Sequence, residues 1–246
     1  MKIRLDKYLA DMSVGTRSEI KGMVKNGRVA VNDRIVKDSG SKIETTCDSV
    51  KIDGRTVDYQ EWEYYMLHKP AGYLTAVTDS KEKTVMELLE HTARRDLFPV
   101  GRLDKDTTGL LLITNHGELS HRLLAPKSHV DKKYFARLDG ILDEDMSRKL
   151  EEGVFIEKDV KTLPAKLEIL SNVPDDVTVC LTIHEGRFHQ VKKMFAAVGR
   201  QVIALKRLEF GTLKLDETLP EGKSRPLTEQ EIEDLFICAG FTKKEK

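Results

Sequence analysis

The chain has 246 residues, and its 41 basic and 41 acidic side chains balance to zero net charge. That length allows a sizeable core in one or two domains, and for a polyanionic partner the balance makes local rather than total charge the relevant quantity. The three scattered cysteines (Cys47, Cys180, Cys238) include no CxxC pair, so a disulfide framework is excluded and a reducing, cytoplasmic setting is expected. No apolar N-terminal segment and no long apolar run stands out, so neither a signal peptide nor a membrane contact is expected.

The first 58 residues read as a compact module. Leu5, Tyr8 and Leu9 at helical spacing predict a helix over Arg4–Met12. Thr16 followed by Glu19 is a capping-box pattern, which opens a helix that presents Ile20, Met23 and Val24 and stops at Asn26-Gly27. Arg28 to Val36 then reads as strand, Asn-Asp turn, strand. The stretch Met1–Thr46 holds ten Lys/Arg against six Asp/Glu. A short polar connection over residues 59–63 marks a domain boundary.

Beyond it, residues 64–240 alternate strands and helices without strict βαβ order, which predicts an α+β fold. Strands are expected at Tyr64–Lys69, Leu110–Thr114, Tyr134–Leu138, Lys166–Leu170, Val177–Ile183 and Gln201–Leu205. Helices are expected after the caps Thr84, Asp143 and Thr228, and over Phe188–Val198. Residues 241–246 are expected to form a solvated tail.

Two segments concentrate reactive side chains. Gly101-Arg-Leu-Asp-Lys-Asp-Thr-Thr-Gly109 sets two carboxylates, two cations and two hydroxyls between glycines, just before an apolar strand. Such a loop is a rigid mount for a reactive group, and it is equally a charged turn closed by an Asx hydrogen bond. Asp104 and Asp106 also fit a DxDxT phosphatase pattern, but the strand that should precede the first Asp is poor. The only later acidic pair, Asp175-Asp176, sits beside a proline. The second segment, Glu185-Gly-Arg-Phe-His-Gln-Val-Lys-Lys-Met194, places Arg187, His189 and Gln190 at a helix N-terminus, where free amides suit an anion, and Lys192 one turn in. His184–Lys214 carries seven basic residues against two acidic, so the same segment also reads as a basic helix face in solvent. No metal site is expected. His116/His121 and His184/His189 are five apart, which separates two side chains by about 140° on a helix.

In combination these segments resemble a known family. Gly101-Arg-Leu-Asp104 with Thr107, Thr108 and Gly109-Leu-Leu-Leu112, then Lys133-Tyr134, then Glu185-Gly-Arg-Phe-His-Gln-Val-Lys192 look like the RsuA-like ribosomal RNA pseudouridine synthases. Arg4-Leu-Asp-Lys-Tyr-Leu9, Gly15-Thr-Arg-Ser18 and Gly27-Arg-Val-Ala-Val-Asn32 resemble the S4 RNA-binding module that precedes their catalytic domain. The resemblance implies an α+β architecture: a small S4 domain, then a synthase domain with a mixed, largely antiparallel sheet flanked by helices. It implies Asp104 as the catalytic carboxylate, Tyr134 as the platform for the target base and Lys192 as the basic partner. Lys192 stands where many relatives have Arg, which keeps the charge and loses the planar fork.

Pseudouridylation breaks the C1′–N1 bond of a uridine, turns the uracil and joins C5 to C1′. It is an isomerisation that needs no cofactor. It requires a nucleotide extruded from its stack and a pocket that excludes water. Candidates for RNA contact are Arg102, Arg187, His189 and Gln190 near the site, and Arg4, Arg17, Lys21 and Arg28 in the first module. The expected partner is ribosomal RNA, 16S rRNA or a small-subunit assembly intermediate first and 23S rRNA second, bound by a monomer. A non-catalytic S4-bearing ribosome-assembly protein and the phosphatase are the other readings.

Overall fold

The computed structural model describes residues 1–90 and 92–242, and the chain divides into two compact units. Met1–Glu63 with Glu90–Leu97 form the first, and Tyr64–Leu89 with Phe98 onward form the second.

The first unit contains β1 (Lys2–Arg4), α1 (Leu5–Asp11), α2 (Arg17–Lys25), β2 (Val29–Val31), β3 (Arg34–Ile35), β4 (Lys42–Glu44), β5 (Val50–Ile52) and β6 (Arg55–Thr56). β1 pairs with β4, and a small antiparallel sheet runs in the order β3-β2-β5-β6. Leu5, Tyr8 and Leu9 of α1 and Ile20 and Val24 of α2 share one core with Val29, Ile43 and Val50. The cap is formed as the sequence implies. Thr16 Oγ1 accepts from the Glu19 amide at 3.3 Å, and the Glu19 carboxylate accepts from the Thr16 amide at 2.7 Å. Thr16→Ala is therefore expected to lower the unfolding free energy by about 1 kcal/mol in urea denaturation, with the slope unchanged.

The boundaries differ from the sequence reading in two places. Tyr59, assigned to the connection, packs tilted against Tyr8 with ring centroids 4.9 Å apart and donates to Asp11 at 3.0 Å. Residues 90–97 return to the first unit, where buried Arg94 pairs with Asp96 at 2.6 Å and donates to the Gln60 carbonyl at 2.9 Å. No apolar periodicity announces that return, because the segment is held by charge and backbone contacts.

The second unit is built on one twisted sheet. Its strands are β7 (Tyr64–Lys69), β8 (Phe98–Pro99), β9 (Thr108–Thr114), β10 (Lys132–Leu138), β13 (Lys166–Val173), β14 (Asp176–Ile183), β15 (Val202–Phe210), β16 (Leu213–Lys214) and β17 (Ser224–Pro226). A separate short ribbon joins β11 (Phe155–Glu157) to β12 (Val160–Lys161). The main order is β13-β14-β10-β15-β9-β7-β17, with β16 on β15 and β8 on β9. Of the strand pairings in this sheet only β15–β9 is parallel among the described residues, so the sheet is mixed and largely antiparallel. The helices are α3 (Gly117–Leu124), α4 (Glu144–Glu152), α5 (Gln190–Ala197) and α6 (Glu229–Cys238).

Leu110 and Leu112 of β9, Met66 of β7, Leu119 and Leu123 of α3 and Leu235 and Phe236 of α6 share a core. Phe241, placed in the tail by sequence, is buried against Phe236 at 4.7 Å between ring centroids, with the Arg122 guanidinium 3.9 Å from its own. The rest of the expected tail, residues 243–246, lies outside the described residues. α5 begins at Gln190, two residues later than the periodicity suggests. His189 precedes it in the left-handed region, φ 53°, and leaves Phe188 exposed.

Candidate active site

Asp104 sits on the loop that leads into β9, and three devices hold that loop from behind. Thr75 Oγ1 donates to the Leu103 carbonyl at 2.7 Å and accepts from its amide at 3.2 Å. The Thr107 amide donates to the Asp104 carbonyl at 3.1 Å, closing a turn around the carboxylate-bearing residue. Lys69, at the end of β7, is fully buried, and its ammonium donates to the carbonyls of Thr107 at 2.8 Å, Pro70 at 3.0 Å and Lys105 at 3.2 Å. A buried cation with no direct carboxylate contact is expensive. Three carbonyl dipoles and the nearby charges of Asp106 and Asp104 offset part of that cost.

Burial lowers the Lys69 pKa from 10.5 to about 8. The sign for stability follows directly. Between those values the unfolded chain keeps a proton that the folded chain has released, so the contribution of Lys69 to stability rises with pH. Relative to Lys69→Met, the wild-type protein is expected to gain up to about 3 kcal/mol between pH 8 and 10.5, read as the difference in unfolding free energy. A flat difference across that window would remove the argument.

Opposite the loop, α5 brings up the cation. Lys192 Nζ lies 3.3 Å from Asp104 Oδ2 and 2.5 Å from Asp106 Oδ1. The ammonium thus bridges two carboxylates, and its hydrogen bond pulls Asp106 below the ordinary carboxylate range. His189 Nε2 lies 3.4 Å from Asp104 Oδ1, so Asp104 faces a second nitrogen that charges when protonated. Tyr134, on β10, is nearly buried and lines the same recess as Asp104, Lys192 and His189. Residues 86 apart on the Asp104 loop and α5 therefore meet at hydrogen-bond distance. The recess has a volume of about 120 Å³ and opens beside a larger groove of about 940 Å³ that includes Thr75, Arg102 and Phe188.

The remaining sequence candidates separate. Arg102 is exposed at the mouth of the recess and makes no hydrogen bond or ion pair among the described residues. Arg187 is exposed but pairs with Glu185 at 2.9 Å. Gln190 is buried. Its amide donates to Glu185 at 2.9 Å and accepts from the Arg187 amide at 2.9 Å, so its polar groups lock the turn and do not project outward. In the first unit, Arg4 is engaged by Asp6 at 2.7 Å and Arg28 by Asp53 at 2.5 Å, while Arg17 and Lys21 stand exposed on α2. Lys69 and Thr75 were not singled out by sequence, and Asp106 was read there only as part of the phosphatase pattern. For Lys69 the available signal was an apolar strand ending in Lys-Pro.

A carboxylate held in a recess over a mixed sheet, with a cation and an aromatic ring beside it and a basic, helix-bearing module ahead of it, defines an enzyme that handles nucleic acid. The comparisons agree. Residues 63–197 match the RNA pseudouridylate synthase family model and residues 3–50 match the S4 domain. An uncharacterized RNA pseudouridine synthase of Bacillus subtilis, YtzG, is 46% identical, with 94% of this chain and 97% of the relative covered. The ribosomal large subunit pseudouridine synthase B of Bacillus subtilis is 41% identical, covering 98% of each chain. The ribosomal small subunit pseudouridine synthase A of Vibrio cholerae is also 41% identical, covering 95% of this chain and all of the relative. A crystal structure of a pseudouridylate synthase superposes with a TM-score of 0.66 at 40% identity, over 95% of this chain and 99% of that one. The chain belongs to the RsuA-like RNA pseudouridine synthases, which join an S4 domain to a synthase domain.

Proposed function

We propose that this isomerase converts a specific uridine of ribosomal RNA to pseudouridine, with 16S rRNA in a small-subunit assembly intermediate as the target and Asp104 as the catalytic carboxylate. The observation that carries the chemistry is the meeting of Asp104, Lys192 and Tyr134 in one recess. With the nucleotide flipped out, the Asp104 carboxylate meets the ribose and either attacks C1′ or takes the proton on C2′. Lys192 keeps the carboxylate charged as water leaves. Tyr134 offers a flat face to the uracil. Arg102 at the rim, with His189 and Arg187, contacts the flanking RNA. Residues 1–58 bind folded RNA through phosphate contacts, with Arg17 and Lys21 the exposed candidates. The protein works in ribosome biogenesis as a cytoplasmic monomer in this reading. No helix among the described residues is long and apolar enough to cross a membrane.

Curated relatives named for the small subunit support 16S, and the large-subunit relative at 41% identity supports 23S as the second reading. The test is to delete the gene and map pseudouridine in both RNAs, then restore it in vitro with purified protein on naked rRNA and on small-subunit precursors. Loss and restoration of one 16S site is the expected result. A single missing 23S site would move the assignment to the large subunit. RNA binding with no pseudouridine formed on either RNA would return the chain to a non-catalytic assembly role.

A further inference from the structure

The floor of the recess holds two cations that the chemistry above does not use. Lys132, two residues before Tyr134 on β10, is 8% exposed, and Arg207 on β15 is 2% exposed. Neither makes an ion pair with a carboxylate among the described residues. Lys132 Nζ donates to the Val130 carbonyl at 2.6 Å and keeps two protons unspent. Arg207 Nε donates to the Leu110 carbonyl at 2.8 Å, and its Nη2 is buried with no partner. Thr107 Oγ1, in the wall of the same recess, is also buried without one. The two cations share the ring of Phe210, with Lys132 Nζ 5.6 Å and the Arg207 guanidinium carbon 5.1 Å from its centroid. Burial and the neighbouring Arg207 charge bring Lys132 down to about 8.

Two like charges buried together with spare donors are costly, and a fold keeps such an arrangement where an anion arrives. Which anion follows from the path of the chain. In the synthase reading the RNA backbone follows the open groove, and the extruded base fits the smaller recess beside it, which Tyr134 lines. The base becomes the anion during the reaction. When C1′–N1 breaks, its electron pair stays on N1 and the negative charge spreads over N1, O2 and O4. C1′ is satisfied by the Asp104 carboxylate, or by the C2′ electrons once that proton is taken. Later C5 bonds to C1′ as the C1′–Asp104 ester bond breaks, or as C2′ takes its proton back; the C5 proton is then lost and N1 gains one, so the product is an isomer of the substrate.

We propose that Lys132, with Arg207 and Thr107 beside it, is the binding site for the detached uracil anion and so a further catalytic residue of this enzyme. The inference rests on the synthase reading of the site. It adds that departure of the base is stabilised by the protein at a place separate from Asp104.

The test varies the leaving group. Lys132→Met keeps the volume and removes the charge, and Lys132→Arg restores it. On target RNA with uridine, Lys132→Met is expected to slow single-turnover conversion roughly 100-fold. With 5-fluorouridine at that position, whose base leaves more readily, consumption of the substrate is expected to slow by about tenfold or less. Lys132→Arg recovers most of both. Monoanionic barbiturate, a stand-in for the uracil anion, is expected to bind the wild-type protein and to lose at least about tenfold affinity in Lys132→Met, with RNA affinity unchanged in both. Equal slowing on the two bases, or a loss confined to RNA affinity, would overturn the proposal and leave Lys132 a structural or phosphate-binding residue. Because barbiturate binding needs no turnover, that failure is distinct from failure of Asp104 as catalyst, which is read from Asp104→Asn.

Discussion

Asp104→Asn is expected to abolish pseudouridine formation while leaving RNA bound. The substitution is nearly isosteric, so the Thr75, Thr107 and Lys69 contacts that hold the loop survive, since they act on backbone atoms of residues 103–107. What goes is the charge. An amide neither attacks a developing cation at C1′ nor takes a ribose proton, and Lys192 is left paired only to Asp106. Single-turnover rates on the target fragment are expected to fall by at least about 1,000-fold, with dissociation constants within about threefold of wild type. Conversion near the wild-type rate would remove Asp104 from the chemistry.

The second large effect concerns Gly109, where the loop enters β9. Its φ is 104°, and a Cβ built there would lie 2.2 Å from the Arg207 carbonyl oxygen and 2.6 Å from the Arg207 amide nitrogen. Both contacts are backbone, so no side chain can swing away. Gly109 is also, with Thr108, one of the two residues through which β9 pairs in parallel with β15. Gly109→Ala is expected to cost about 3 kcal/mol or more, or to yield insoluble protein, and to abolish activity with the loss of the β9–β15 junction. Gly117→Ala is the control, since nothing lies within 4 Å of a Cβ there. If the Gly109 variant melts with wild type, the two strands are not packed as described.

The residues that meet in this candidate site could be named from the sequence because they sit in short segments: Asp104 between glycines, Tyr134 in a strand, Lys192 one turn into a helix. What the sequence could not supply are groups defined by distant partners. Lys69 reads as the last residue of a strand before Pro70, and only the fold shows it gripping the carbonyls of Lys105 and Thr107. Asp106 reads as a possible phosphatase acid, whereas it shares Lys192 with Asp104. Gln190 reads as an RNA contact, and its burial against Glu185 comes from the tight turn before α5. The fold was legible in the same uneven way. The long strands and capped helices announce themselves. β8, β12 and β16 have only two residues each, too few for a period to register, and α3 opens at His116, whose side chain forms no cap hydrogen bond.

The position of β15 has a consequence for how activity is acquired. In the sheet β15 lies between β10, which carries Tyr134, and β9, which follows Asp104, yet it is made after both and after Lys192. A nascent chain that already contains Asp104, Tyr134 and Lys192 still lacks the strand that makes β9 and β10 neighbours across it. The strand that joins the two halves of the site is thus the last long one in the sheet to leave the ribosome, so the site is completed late in synthesis.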